Sequence, residues 1–204
     1  MTSRTLLYFP IIHTQTDMGA LSEPIRKVTI QKLGERVWRQ KINLVKKFWD
    51  DMESILDKLS LVYAQTRLYQ DGLPICGKEQ EIVTELEKKG SPNHQLLVHL
   101  MKKGATLMGT ESADLLIEEY HFIKKILESG NVHDAMEIET RQKGASDRLL
   151  KKRDEFIAAR IATTLQVAET GVLFLGMIHD ISALLPADIT VIYPMNHPLG
   201  KTGE

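Results

Sequence analysis

Two runs, "LLYFPII" at 6–12 and "GVLFLGMI" at 171–178, are apolar without interruption, and they limit the fold more than anything else in the chain. A strand with one wet face alternates apolar and polar residues, whereas a strand covered on both faces has no polar side to show. Such strands belong to parallel sheets sandwiched between helices. The intervening segments carry the helices. Residues 21–59 have Ser22 and Pro24 as start signals and place Leu33, Val37, Ile42, Val45, Trp49, Met52, Leu56 and Leu59 at helical steps. This predicts one long amphipathic helix with a bend near Gly34.

The alternation continues to the end of the chain. "SLVYAQTRLYQ" reads as a second strand, closed by Asp71-Gly72 and Pro74. A helix or helix pair broken at "GSPNH" follows, and "ATLMGTES" is a short third strand. It runs into the helix "ADLLIEEYHFIKKILESG", which Gly130-Asn131 ends with C-cap chemistry. Residues 132–170 predict mostly helix with a break near Gly144, the second part running from Ser146 to about Glu169. "GVLFLGMIH" and "ITVIYP" supply strands four and five, with "DISALLPAD" as a short helix between them. Strands joined by helices require crossovers, so the expected fold is α/β, a mostly parallel sheet of about five strands under long helices on both faces. Residues 1–194 form one domain in this reading, and 195–204 a polar C-terminal tail.

Composition narrows the function classes. The chain has 204 residues, 43% of them hydrophobic, which suffices for one well-filled core. A formal net charge of -1 gives no global field toward nucleic acid or acidic lipid, so any partner must be recognised locally, and the ligand expected at the site described below is small-molecule or peptide-like. The basic residues of the first helix, Arg26 to Lys47, lack interleaved aromatic residues apart from Trp38 and read as a solvated face. One cysteine, Cys76, excludes an internal disulfide and reads as a small buried hydrophobe. No signal peptide and no stretch of about 20 apolar residues is legible, so the expected location is the cytoplasm and no membrane partner is expected. The long helices would also suit a homo-oligomer or a self-association scaffold.

Three strands end in a polar residue: His13 after "YFPII", Glu111 after "LMGT" and His179 after "FLGMI". In open parallel sheets, ligands collect beyond the carboxyl ends of the strands, where loops and helix N-termini converge. Two imidazoles and a carboxylate suit a proton shuttle or a divalent ion, so His13, Glu111 and His179 are both the acid/base candidates and the metal-ligand candidates. Tyr69, Asp71 and Glu79 lie at the same end of the sheet. Asp71-Gly72 is more simply turn chemistry, and Glu79 could satisfy a helix N-terminus. His94 and His99, five residues apart, do not share a helix face and read as surface histidines.

"GMIH" at 176–179 resembles the G-x-x-H element of the superfamily that joins erythromycin esterase, haem-binding ChaN, pheromone-shutdown TraB and Tiki proteases. "RDEFIAARI" at 153–161 is similar to the arginine helix that this family places before its last G-x-x-H strand. The order of elements is similar over most of the chain. The departure is "PIIH" at 10–13, with proline where that family usually has glycine. The resemblance implies that His13 and His179 face one another, that Glu111 completes a metal shell or acts as general base, and that Arg153 holds an anionic group or orients the glutamate. It implies a metal-assisted or histidine/glutamate hydrolase, or alternatively a non-catalytic carrier or sensor that holds haem or a metal ion in the same crevice.

Overall fold

The computed structural model describes residues 3–14, 16–129 and 132–195. Among these, five strands form one sheet: β1 (Arg4–Ile11), β2 (Thr66–Gln70), β3 (Thr106–Met108), β4 (Thr170–Gly176) and β5 (Ile189–Ile192). They lie in the order β3-β2-β4-β1-β5, and every pairing is parallel. The two uninterrupted apolar runs are neighbours at the centre, paired from Thr5↔Thr170 to Ile11↔Gly176. Leu6, Phe9, Leu173 and Phe174 are each 0% exposed, as strands covered on both faces require.

The helices are α1 (Ser22–Leu33), α2 (Glu35–Lys58), α3 (Glu79–Lys88), α4 (Pro92–Lys102), α5 (Ala113–Leu127) and α6 (Val132–Thr164). One face of the sheet buries Phe9, Leu68 and Phe174 against Trp49, Met52 and Leu56 of α2, Val83 of α3 and Leu97 of α4. The other buries Leu6, Tyr8, Tyr69 and Leu173 against Ile157, Ala158 and Ile161 of α6. Burying one such aliphatic or aromatic side chain stabilises by about 1.5–3 kcal/mol, so these two layers are the main source of cohesion. The alternation of residues along each strand assigns them to one layer or the other.

Several expectations need correction. The first helix is two helices, because Gly34 adopts φ 81, a left-handed conformation that residues with a Cβ resist, and its N–H caps the Ile30 carbonyl. The second strand begins only at Thr66, since its central neighbour β4 begins at Thr170 and offers nothing for residues 60–65 to pair with. Helix α6 runs through Gly144 without a break. A glycine inside a helix costs only about 1 kcal/mol against alanine, and α5 packs along α6 and offsets it. The same helix stops at Thr164, short of Glu169, where Ala168 turns to φ 68. Between β4 and β5 the short helix is present as a single turn of 3-10 helix, Ser182–Leu184. Cys76 is exposed, on the turn before α3. The Gly130-Asn131 cap lies outside the described residues, as does the tail apart from Met195, which packs against the α2 side of the core.

Candidate active site

Four strands of the sheet deliver side chains to one place. His13 follows β1, Asp71 follows β2 directly, Glu111 follows β3 and His179 follows β4. Helix α6 contributes Arg153 and Asp154 from the side. The loops are held by their own backbone bonds: Asp71 donates to the Phe174 carbonyl at 2.9 Å, and the N–H groups of Thr110 and Glu111 share the Leu73 carbonyl at 3.0 Å. The N–H of His179 closes a turn onto the Gly176 carbonyl at 3.0 Å.

Asp71 is the centre of the cluster. Its Oδ2 lies 2.9 Å from His13 Nε2 and accepts the Gly176 N–H at 2.8 Å, while its Oδ1 accepts from Arg153 Nη2 at 2.9 Å. His179 Nε2 stands 3.8 Å from the same Oδ2. Gly176 makes this approach possible, because a Cβ there would lie 2.7 Å from Asp71 Oδ2, 3.5 Å from His13 Nε2 and 3.6 Å from His179 Cδ2. Both rings therefore border one point beside the last residue of β4. Burial opposes ionisation of Asp71, but the hydrogen bond and charge of His13, then His179 and Arg153, hold it well below the usual carboxylate range.

Arg153, 3% exposed, ties the remaining carboxylates together. Its Nε donates to Glu111 Oε2 at 2.6 Å, its Nη2 to Glu111 Oε1 at 2.9 Å, and its Nη1 to Glu119 of α5. Glu111 Oε1 also accepts the Gly72 N–H at 2.6 Å. The planar fork of a guanidinium matches such a ring of carboxylates in a way an ammonium does not. Burial still raises Glu111 above the ordinary carboxylate value despite its bonds to Arg153, and the Asp71 charge adds to the rise.

The two imidazoles differ in setting. His179 Nδ1 lies 2.5 Å from Asp154 Oδ1, and its side chain is 1% exposed. His13 is 28% exposed at the side chain and lines a cavity of about 570 Å3. For both rings burial lowers the pKa, but their carboxylate partners, Asp71 for His13 and Asp154 for His179, more than outweigh it, so both lie above the ordinary imidazole value. For His13 this is a stability statement. A raised folded pKa stabilises fully below the ordinary imidazole value of about 6.5, and the benefit is lost as pH rises through the raised value. Thermal melts from acid to mildly alkaline pH should show wild type losing stability relative to His13→Gln across that window. A difference independent of pH would contradict the assignment.

All four residues expected from the sequence therefore surround Asp71, and Arg153 takes one of its two expected roles by orienting Glu111. Both Glu111 oxygens are spent on Arg153 and Gly72, so the set His13, Glu111 and His179 does not fit a metal ion. Among the described residues no three His, Cys, Asp or Glu side chains are arranged to hold one. Arg153 spends four of its five N–H donors on Glu111, Asp71 and Glu119, and so orients carboxylates. Asp71, read as turn chemistry, is the hub, and its position directly after a strand was the signal available for it. Asp154 sits beside Arg153 in the quoted helix, yet its partner is remote in sequence and no spacing marks the pair. Tyr69 and Glu79 lie elsewhere: the phenol hydrogen-bonds Thr164 Oγ1 at 2.9 Å, and the carboxylate accepts the Cys76 and Gly77 N–H groups.

His94 is also corrected, from surface to 5% exposed. Its Nδ1 lies 2.7 Å from Ser91 Oγ, which hydrogen-bonds Asp17 Oδ1 at 2.5 Å. Asp17 Oδ2 accepts the Thr14 N–H at 2.7 Å, so this buried group pins the segment that follows His13 onto the start of α4. Comparison with protein-family models, curated proteins and solved structures finds no match for this chain.

Proposed function

We propose that this protein is a hydrolase of a small-molecule or peptide-like ester or amide, with His13 as general base. The observation that carries the reading is the His13–Asp71 pair, 2.9 Å apart at the mouth of a cavity. An ionised carboxylate only accepts hydrogen bonds, so the proton between them belongs to His13 Nε2, and in the neutral ring, above its raised pKa, Nδ1 keeps the lone pair. That nitrogen takes a proton from water as the water oxygen bonds to the substrate carbonyl carbon. The imidazolium so formed is stabilised by Asp71, and it returns the proton to the leaving group as the scissile bond breaks. Arg153 keeps Asp71 ionised and aimed, and Glu111 keeps Arg153 in place.

The resemblance of "GMIH" and "RDEFIAARI" to the esterase and protease superfamily supports the same class of chemistry. The second reading is a ligand-holding protein without turnover, favoured by the side-chain burial of His179 and its tie to Asp154. A panel of ester and peptide substrates assayed with wild type, His13→Ala and Asp71→Asn separates them. Turnover by wild type that both variants lose supports the hydrolase. Turnover that survives in His13→Ala, or ligand capture with no product, overturns it. Metal content and a haem titration on the same three proteins address the carrier reading directly.

A further inference from the structure

The cavity beside His13 is lined largely by α1 and by the part of α2 that stands outside the core. Helix α1 buries no residue, and the buried residues of α2, Trp49, Met52 and Leu56, all fall in its C-terminal half. The first turns of α2 and the facing side of α1 instead line the cavity, with Ile25 on one wall and Trp38, Ile42 and Val45 on the other. On α2 these follow the three- and four-residue steps of a single helical stripe, and from Trp38 to Asp50 that stripe extends about 18 Å at 1.5 Å per residue. The result is an elongated slot with apolar walls, and its volume of about 570 Å3 falls in the range of small-molecule sites, about 300–1,000 Å3.

The charges in the slot are unequal. Lys41 and Lys46 line it together with one acidic residue, Asp50. Among the described residues neither lysine makes an ion pair, although the neighbouring Lys47 pairs with Asp51 at 2.7 Å and Arg39 with Glu35 at 2.7 Å. Two unpaired ammonium groups beside an apolar wall fit a ligand that carries both features.

We infer that this slot binds an amphiphile, an apolar chain bearing one anionic group, with the chain along Ile25, Trp38, Ile42 and Val45 and the anion at Lys41 and Lys46. This deepens the hydrolase reading by giving its substrate class, an ester or amide of such a chain whose carbonyl lies at His13, and it rests on that reading for the chemistry alone. Binding is separable from turnover, and the slot supplies its own reporter because Trp38 lines it while Trp49 is buried in the core.

The full chain is titrated with laurate below its micelle concentration, following tryptophan emission, with dodecanol as the uncharged control. The expected result is a saturable change with laurate that Trp38→Phe removes, binding weakened about tenfold in Lys41→Gln/Lys46→Gln, and dodecanol weaker by a similar factor. Ile42→Asp, at a position already 46% exposed and therefore tolerant of a charge, should abolish binding with an unchanged melt. Asp71→Asn should bind laurate as wild type does. Equal binding of laurate and dodecanol, no response to either, or capture by anionic vesicles without response to free laurate would overturn the inference. Laurate binding without hydrolysis of an ester that keeps the anionic group, such as monomethyl dodecanedioate, sinks the hydrolase and leaves the slot standing. Hydrolysis of short-chain esters by a protein that ignores laurate does the reverse.

Discussion

Arg153→Ala should unfold the protein at markedly lower denaturant, with a loss of about 3–5 kcal/mol, the cost of breaking a buried ion pair from one side. The substitution leaves Asp71 and Glu111, 8% and 1% exposed, without the cation that compensates them. Asp71 keeps His13 and the Gly176 N–H, and Glu111 keeps the Gly72 N–H, so the loss concentrates on Glu111. Glu111 is already inclined to hold its proton through burial, and the variant should therefore recover stability as pH falls and that carboxyl is neutralised. Arg153→Lys should rescue only part of the loss, because one ammonium cannot reach Glu111, Asp71 and Glu119 with the separate donors of a guanidinium. Urea titrations of wild type, Arg153→Ala and Arg153→Lys at neutral and acid pH check both statements. A change within about 0.5 kcal/mol, the range of ordinary surface substitutions, would show that the arginine is not the keystone of the cluster.

Gly176→Ala should be the second most damaging change, although it adds one methyl group. The new Cβ would lie 2.7 Å from Asp71 Oδ2, closer than real Cβ contacts come. A free carboxylate would swing aside, but this one is held by His13, by Arg153 and by the N–H of Gly176 itself. Relief therefore requires breaking one of those bonds, with a loss of about 1–3 kcal/mol for overpacking. The chemical consequence is larger than the stability loss suggests. If Asp71 moves away from His13, the bond and charge that raise the imidazole are gone, and its pKa should fall toward or below the ordinary value. Following the His13 ring by NMR through a pH titration in wild type and Gly176→Ala measures this. An unchanged titration with unchanged stability would mean that Asp71 is not confined as described.

Both effects depend on juxtapositions that the sequence records only in part. The alternation of apolar runs and long amphipathic segments, read residue by residue, already implied a parallel sheet with helices on each face. That inference is secure in physical terms because an uninterrupted apolar strand has nowhere else to be stable. The ends of those strands were legible too, and with them His13, Glu111 and His179, because the rule that side chains gather beyond strand ends needs only strand positions. Asp71 obeys the same rule, yet an Asp-Gly pair is also ordinary turn chemistry, and one residue can serve both purposes. Gly144 failed as a helix breaker for a different reason: its local cost is small beside the packing of α6 on α5.

What the linear chain determined is the class of fold and three of the polar residues, His13, Glu111 and His179, brought to the carboxyl ends of the strands. What only the tertiary structure decided is who bonds with whom. Strand order put β4 between β1 and β2, so Gly176 came to lie against Asp71 and His13. Helix α6 then turned Arg153 into that gap and spent both oxygens of Glu111, which the sequence left equally suited to a metal ion. Neighbours in a sheet are set by long-range burial, which no local spacing encodes, and the partner a charged side chain finds there decides whether it holds, catalyses or simply supports.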